Sequence, residues 1–433
     1  MQGVPSLTAL ILVLTLVLVP AKPVLGLSPP GPSAPAEMDP GARNIPPDIR
    51  ASLARDPGAG LPLLARHLTG DARDDFHKVR RIHDWIADNL AYSSNPPRRG
   101  RGPAGAADVL ASGAGNCQAY STLFDALCSL AGIRSATISG YARGFGYDPA
   151  APENPLLANH AWNAVFLDGG WRLVDVTWDA GCLDSAGVFS RRYSTAFLFP
   201  EPGKFLYTHL PTEPGWQLLD PPATPEQFAG RPYLRGEFHA MGLSLAEPVA
   251  RINPAGREAV LVLDVPNDVR ILAREQSVLG AAAPPESTFI RREKNRVSIL
   301  ATFPRPGRWK LKIFARRLSE PDHGLVAVVA YDATEWGEHR YPYRYQAYSS
   351  LKCSLVGPLS ASLTPNQKSS FSIRVPGVAA VSLLLDDEQW VLMNRAGPDL
   401  FCATATVPES GDVKILVKPT LGDNEWIGLV RYP

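Results

Sequence analysis

The chain has 433 residues, 45% of them hydrophobic and 20% charged, and its 43 basic and 42 acidic side chains leave a net charge of +1. At roughly 150 residues per domain, this length implies two or three domains. The balanced charge, with no long single-sign block, gives no ground for a nucleic-acid or acidic-membrane partner. The 42 prolines favour strands, turns and irregular connections over long helices.

In chain order, the first feature is the apolar run from Leu7 to Val19, followed by Pro20 and a small-residue pattern ending at Gly26. It is short for a membrane span and suits a signal peptide over residues 1–26, and hence a secreted protein. No Lys or Arg precedes it, which keeps an uncleaved N-terminal membrane anchor as the alternative. Residues 27–47, rich in Pro, Ala, Ser and Gly, read as a disordered spacer. The five cysteines are Cys117, Cys128, Cys182, Cys353 and Cys402. An odd count leaves at least one unpaired within the chain.

From Asp71, the apolar residues Phe76, Val79, Ile82, Ile86 and Leu90 recur every three or four positions and predict a helix that stops near Tyr92. Residues 95–100, NPPRRG, read as a basic loop. A second helix opens at Cys117 and ends at Ala131-Gly132. Ile133 to Tyr141 has strand character, and Arg143 to Asn159 is a long Gly/Pro loop. Two aromatic and β-branched runs, Ala161 to Leu167 and Trp171 to Trp178, flank Asp168-Gly169-Gly170 and predict a hairpin. The segments around His209 and Trp216 read as an extended tail closing this domain.

The C-terminal part repeats itself. Ser244 to Pro248 answers to Ser354 to Pro358, and Val265-Pro266 to Val375-Pro376. Phe303 to Ile313 likewise resembles Val407 to Val417, and each copy ends near a tyrosine, Tyr331 or Tyr432. Short alternating strands make each copy a candidate immunoglobulin-like β-sandwich. Cys353 and Cys402 both fall in the last copy, as a strand-joining disulfide or as two free thiols.

One constellation could carry chemistry. A neutral thiol is a poor nucleophile, and Cys117 at a helix start faces the positive end of the macrodipole. The free N–H groups there could also hold an oxyanion, and Gly113 and Gly115 allow a tight approach. Taken alone, such a cysteine is more often packing than catalysis. A nucleophile needs a base and the base an acceptor; His160 opens the first hairpin strand and Asp175 lies in an otherwise apolar second one. With a two-residue turn, Leu167 pairs with Gly170 and His160 falls opposite Thr177, one repeat from Asp175 on the same face. The bland reading makes His160 a strand-end surface residue and Asp175 a turn cap.

WIADNLAY from Trp85, GNC at Gly115 to Cys117, NHAWNAV from Asn159 and WRLVDVTW from Trp171 together resemble the transglutaminase-like superfamily, closest to its kyphoscoliosis peptidase-like branch. The resemblance implies an α+β architecture: a transglutaminase-like, papain-like cysteine-enzyme domain over residues 48–235, followed by two immunoglobulin-like β-sandwich domains over 236–345 and 346–433. It implies Cys117 as nucleophile, His160 as general base and acid, and Asp175 as orienting carboxylate. It also offers Tyr92 as an aromatic at the oxyanion site. Gln118 is a second polar contact there, or else faces solvent or caps the helix. Trp162 and Trp178 wall the cleft or pack the sheet. Asn116 and Asp179 depart from the family pattern, the latter standing where a glycine is usual.

Cys128 reads as core, Cys182 as a loop residue, and a Cys117–Cys182 disulfide would silence the enzyme. No cofactor is implied: His67, His77 and His83 are irregularly spaced for metal ligands. The expected activity is thiol-dependent amide hydrolysis or acyl transfer on a protein or peptide substrate. The alternative is a catalytically silent scaffold that binds protein partners through its sandwiches.

Overall fold

The computed structural model describes residues 37–43, 45–94, 105–144, 146–184, 186–335, 340–420, 422 and 425–433. The signal segment, most of the spacer and the basic loop at 95–100 lie outside the described residues.

The end of the spacer departs from the sequence reading. Residues 37–43 and 45 pack onto the domain, with Met38, Ala42 and Ile45 buried. The Asp39 amide donates to Asp84 Oδ2 at 2.8 Å. A proline- and alanine-rich composition does not prevent three spaced apolar residues from finding a helix face. Two further helices, α1 (Pro47–Arg55) and α2 (Pro57–Thr69), follow without a clear sequence signal. Helix α2 starts as its chemistry dictates: the Asp56 side chain accepts from the Ala59 amide at 3.1 Å and Pro57 takes the first helical position, where no N–H is needed. It buries Leu64 and Leu68 completely, each contributing about 1.5–3 kcal/mol of transfer free energy.

Helix α3 (Asp75–Asn89) begins at an Asp74 N-cap that accepts from the His77 amide at 2.8 Å, four residues later than the periodicity suggests. It buries Val79, Ile82 and Ile86. Strand β1 (Ala91–Tyr92) then pairs in parallel with β2 (Ala114–Gly115), which follows helix α4 (Ala106–Ser112). Helix α5 (Cys117–Leu130) lies against β4 and carries Tyr120, Phe124, Leu127 and Cys128 into the core. Strands β3 (Ser135–Ala142), β4 (His160–Leu167), β5 (Gly170–Val174) and β6 (His209–Pro211) form an antiparallel sheet ordered β5-β4-β3-β6.

The β4–β5 turn matches expectation. Leu167 pairs with Gly170, and Asp168 and Gly169 hold φ of 46° and 79°, the positive values a two-residue hairpin turn requires. The far end does not match: β5 stops at Val174, and Asp175 caps a short helix, α6 (Val176–Ala180). An aspartate with a free oxygen accepts from the amide three residues on, here Trp178 at 3.2 Å, and this local bond outcompetes the ladder.

Two sandwiches follow. In the first, β8 (Ser244–Leu245), β10 (Glu258–Asp264), β13 (Arg296–Thr302) and β12 (Thr288–Glu293) make one sheet, in the order β8-β10-β13-β12. Strands β9 (Ile252–Ala255), β15 (Gly324–Ala333), β14 (Gly307–Arg317) and β11 (Val269–Ser277) make the other, in the order β9-β15-β14-β11. Strand β7 (Tyr233–Leu234) pairs with β15, so the first sandwich begins before residue 236. Facing inner rows such as Leu311, Ile313, Val297 and Ile299 form its core. A second two-sheet sandwich opens before residue 346, since Tyr341 joins its core and Tyr343–Arg344 pairs with the last strand, Ile427–Tyr432. All five cysteines are unpaired, so Cys353 and Cys402 are free thiols and Cys117 is not tied to Cys182. Among the described residues no helix is long and apolar enough to cross a membrane.

Candidate active site

Cys117 occupies the first position of α5, with Asn116 as N-cap accepting from the Ala119 amide at 3.2 Å. That bond satisfies one amide of the first turn and leaves those of Cys117 and Gln118 without a helical partner. Gly115 is required by space: a Cβ there would lie 2.3 Å from the Ala119 Cβ. Gly113 is required by conformation, at φ 63°. The β1–β2 pairing sets Tyr92 beside Gly115.

His160 heads β4 and Asp175 caps α6. The His160 Nε2 lies 2.7 Å from Asp175 Oδ2, which leaves Nδ1 to face the thiol. An ionised carboxylate can only accept, so Nε2 donates. Burial is the largest influence on His160 and lowers its pKa, but the charge and hydrogen bond of Asp175, with those of Cys117, raise it to about 10. For Cys117, burial raises the pKa, and the hydrogen bond and charge of His160, aided by the Ala161 backbone, bring it net below its ordinary value. The thiol is thus shifted down and the imidazole up, each by the other, a pairing that favours thiolate beside imidazolium. Trp162 stacks on the His160 ring at 6.0 Å between centroids, a placement that favours the cation.

Asp175 is 1% exposed, and an isolated charge there would be prohibitive. Its Oδ1 accepts from the Trp178 amide, while Oδ2 accepts from His160 and also from His209, whose Nε2 lies 3.1 Å away. Burial pushes the Asp175 carboxyl up, but the charge and hydrogen bond of His160 and the hydrogen bond of His209 hold it well below the usual carboxylate range. His209 itself is neutral. Burial, the dominant cause, lowers its pKa to about 4. Its Nε2 therefore carries the proton, and its Nδ1 accepts from the Thr208 hydroxyl at 2.8 Å. The ring is held flat against Phe205, at 4.0 Å and 11°.

Cys117, His160 and Asp175 thus converge, and Tyr92 joins them, half-buried. Burial raises the Tyr92 phenol and the nearby Cys117 and Asp175 charges add to the effect. Gln118 does not join them: it is exposed and its Nε2 donates to Thr122 Oγ1 at 3.4 Å along its own helix. Trp162 packs within the sheet core. Trp178 is half-buried and leans on both histidines, at 5.7 Å from His160 and 4.4 Å from His209. His77 is engaged by Asp74, and His83 by Asp84 and Asp179. The ligand atoms of His160, Asp175 and His209 lie within 4.8 Å of one another, yet the shared hydrogen bonds to Oδ2 already account for that clustering.

Two residues escape sequence reasoning. His209 sits in a three-residue strand with no motif around it, and only its pairing with Ala142 brings it to the site. Asp179 is fully buried and accepts from His83 Nε2 at 3.0 Å, from the Phe197 amide at 3.0 Å and from the Ser194 hydroxyl. It ties α6, and hence Asp175, to α3.

Residues 63–176 match the transglutaminase-like superfamily, and residues 225–333 match the KY-like, immunoglobulin-like domain. Kyphoscoliosis peptidase of Mus musculus is 30% identical over 288 residues, covering 64% of this chain and 42% of that protein. Hillarin of Drosophila melanogaster is 31% identical over 212 residues, covering 46% of this chain and 26% of that protein. The chain spans less than half the length of the curated relatives it matches. Among solved structures, the periplasmic domain of TgpA from Pseudomonas aeruginosa is 23% identical over 31% of this chain and 49% of that one, with a TM-score of 0.23. The chain carries a transglutaminase-like domain followed by a KY-like, immunoglobulin-like domain.

Proposed function

We propose that the chain is a thiol-dependent enzyme acting on amide bonds of protein or peptide substrates, with Cys117 as nucleophile, His160 as general base and acid, and Asp175 as orienting carboxylate. The observation that carries this reading is the convergence of a helix-start thiol, Cys117, with His160, whose Nε2 lies 2.7 Å from the buried Asp175 carboxylate, a setting that lowers the thiol and raises the imidazole. The Cys117 thiolate attacks the carbonyl carbon and the oxygen takes up the negative charge beside the Cys117 and Gln118 amides. The carbon–nitrogen bond then breaks as His160 gives its proton to the leaving amine. Water resolves the acyl-enzyme to an acid, and an amine resolves it to a new amide.

Tyr92 is the further contact for the oxyanion, since its ring lies on β1 next to the nucleophile's turn. The test is a proteomic comparison of protein extracts treated with the native chain and with Cys117→Ala. Cleaved, deamidated or cross-linked peptides made by the native chain alone support the enzyme, and identical peptide sets for the two overturn it in favour of a binding scaffold.

A further inference from the structure

The outward face of strands β11 and β14 in the first sandwich carries like charges directly opposite one another. Register places Arg270 across from Arg316 and Arg274 across from Lys312. Cross-strand pairs of one sign are destabilising. Arg270 records the effect: burial, then the Arg316 charge, lower its pKa from the ordinary value.

No carboxylate among the described residues forms an ion pair with any of these four side chains. Arg270 donates to the Asn267 and Val269 carbonyls at 3.0 and 3.2 Å, Arg274 to the Ala273 carbonyl at 3.1 Å, and Arg316 to the Glu320 carbonyl at 2.7 Å. Asp268, whose charge acts on Arg270, is taken by Arg317 at 2.6 Å, and Asp148, whose charge acts on Lys312, is taken by Lys310 at 2.9 Å. Between the two cationic rows runs an apolar one: Leu272 opposite Phe314, and Phe314 opposite Leu325 on β15. All three are half-buried, and none belongs to a hydrophobic core of the described residues.

We infer that this face docks an extended, acidic protein segment, with carboxylates at two positions four residues apart and a large apolar residue midway between them. The spacing follows from strand geometry. Residues two apart on one strand are about 6.8 Å apart, so a segment laid along β11 and β14 repeats the cation, apolar, cation order of the sheet. A polysaccharide or nucleic acid would use the cations and leave Leu272, Phe314 and Leu325 idle, which favours a protein partner. The cost of holding like charges together is then recovered on binding.

The test uses the full chain and two fluorescein-labelled synthetic peptides of identical composition. In one, phenylalanine stands midway between two glutamates; in the other it lies outside them. Expected is binding of the first at least about tenfold tighter than the second, a difference of about 1.4 kcal/mol, with affinity falling as salt shortens the screening length. Arg316→Glu should lose binding by a similar factor. It should keep or raise thermal stability, because it places opposite charges across from each other. Phe314→Ser should weaken peptide binding and leave heparin binding unchanged. Equal affinity for both peptides, or heparin binding that outcompetes the peptide while Phe314→Ser has no effect on either, overturns the proposal.

Discussion

The His209 ring and the Asp175 carboxylate meet at 3.1 Å, and the oxygen they share also accepts from His160 at 2.7 Å. One buried oxygen therefore serves two histidines with opposite charge states: His160 is raised to about 10 and His209 lowered to about 4. The neutral ring contributes a fixed donor and no competing charge. Asp175 is thus oriented from both sides, and His160 is oriented through it.

Hydrogen bonds to charged groups contribute about 1.5–3 kcal/mol, and each 1.36 kcal/mol is tenfold in rate. His209→Leu should therefore lower kcat by about 10- to 100-fold and leave KM nearly unchanged, since His209 touches no substrate. His209→Gln, which keeps a side-chain N–H, should recover most of the loss. A fall in KM affinity with kcat preserved would assign His209 to the substrate cleft instead.

Iodoacetamide labelling across a pH series, read by mass spectrometry, tests the pairing of thiol and imidazole. The Cys117 thiol is held below its ordinary pKa, whereas burial raises Cys128 well above it. At pH 6, Cys117 should label far ahead of Cys128. His160→Ala removes the hydrogen bond and the positive charge that stabilise thiolate, so the labelling midpoint of Cys117 should move upward. Equal rates for the two cysteines, or an unmoved midpoint, would sink the mechanism.

Cys117, His160 and Asp175 were legible in the sequence because each lies within a local motif. Their geometry was legible only in part. The hairpin turn followed from Asp168-Gly169, but an aspartate near a strand end caps a helix as readily as it joins a ladder, so Asp175 reaches His160 from α6. His209 and the His83–Asp179 contact were not legible at all, because the latter joins residues 96 apart and neither has a periodic or spaced signature. Helices α1 and α2 escaped because their prolines suggest loops: Pro47 and Pro57 take first helical positions, where a missing N–H costs little, but Pro62 stands inside α2 and reads as a breaker. The sandwiches announced themselves by repetition, and their boundaries moved because short pairing strands such as Tyr233–Leu234 carry almost no pattern of their own.

The Asp179 cluster predicts a stability effect. His83 sits fully buried between Asp84 and Asp179; burial lowers its pKa, but the two carboxylates raise it to about 9. Asp179→Ala leaves that cation short of one partner, and breaking a buried pair costs about 3–5 kcal/mol. Because the folded pKa is raised, the contribution of His83 is complete below its unfolded value near 6.5 and is lost as pH rises through about 9. Urea unfolding should therefore show a larger loss for Asp179→Ala at pH 6 than at pH 9.5. A loss independent of pH would mean that the Phe197 and Ser194 contacts, not His83, carry the effect.

Glu275 also loses stability as pH rises, but through burial of an unpaired acid rather than through a paired base. It is 3% exposed on the inner face of β11, and burial pushes its carboxyl up to about 9 against slight opposition from the Thr302 backbone. At neutral pH it is protonated when folded and ionised when unfolded, so the unfolded state binds fewer protons. Stability is then lost as pH rises between the unfolded carboxyl value near 4.3 and about 9, at about 1.4 kcal/mol per pH unit in that window. Glu275→Gln removes the titration and keeps the shape. Its stability relative to the native chain should climb with that slope from pH 5 to pH 8, as measured by urea unfolding at fixed temperature. A flat difference over this range would mean that Glu275 is ionised in the folded sandwich and has a counterion that the described contacts do not include.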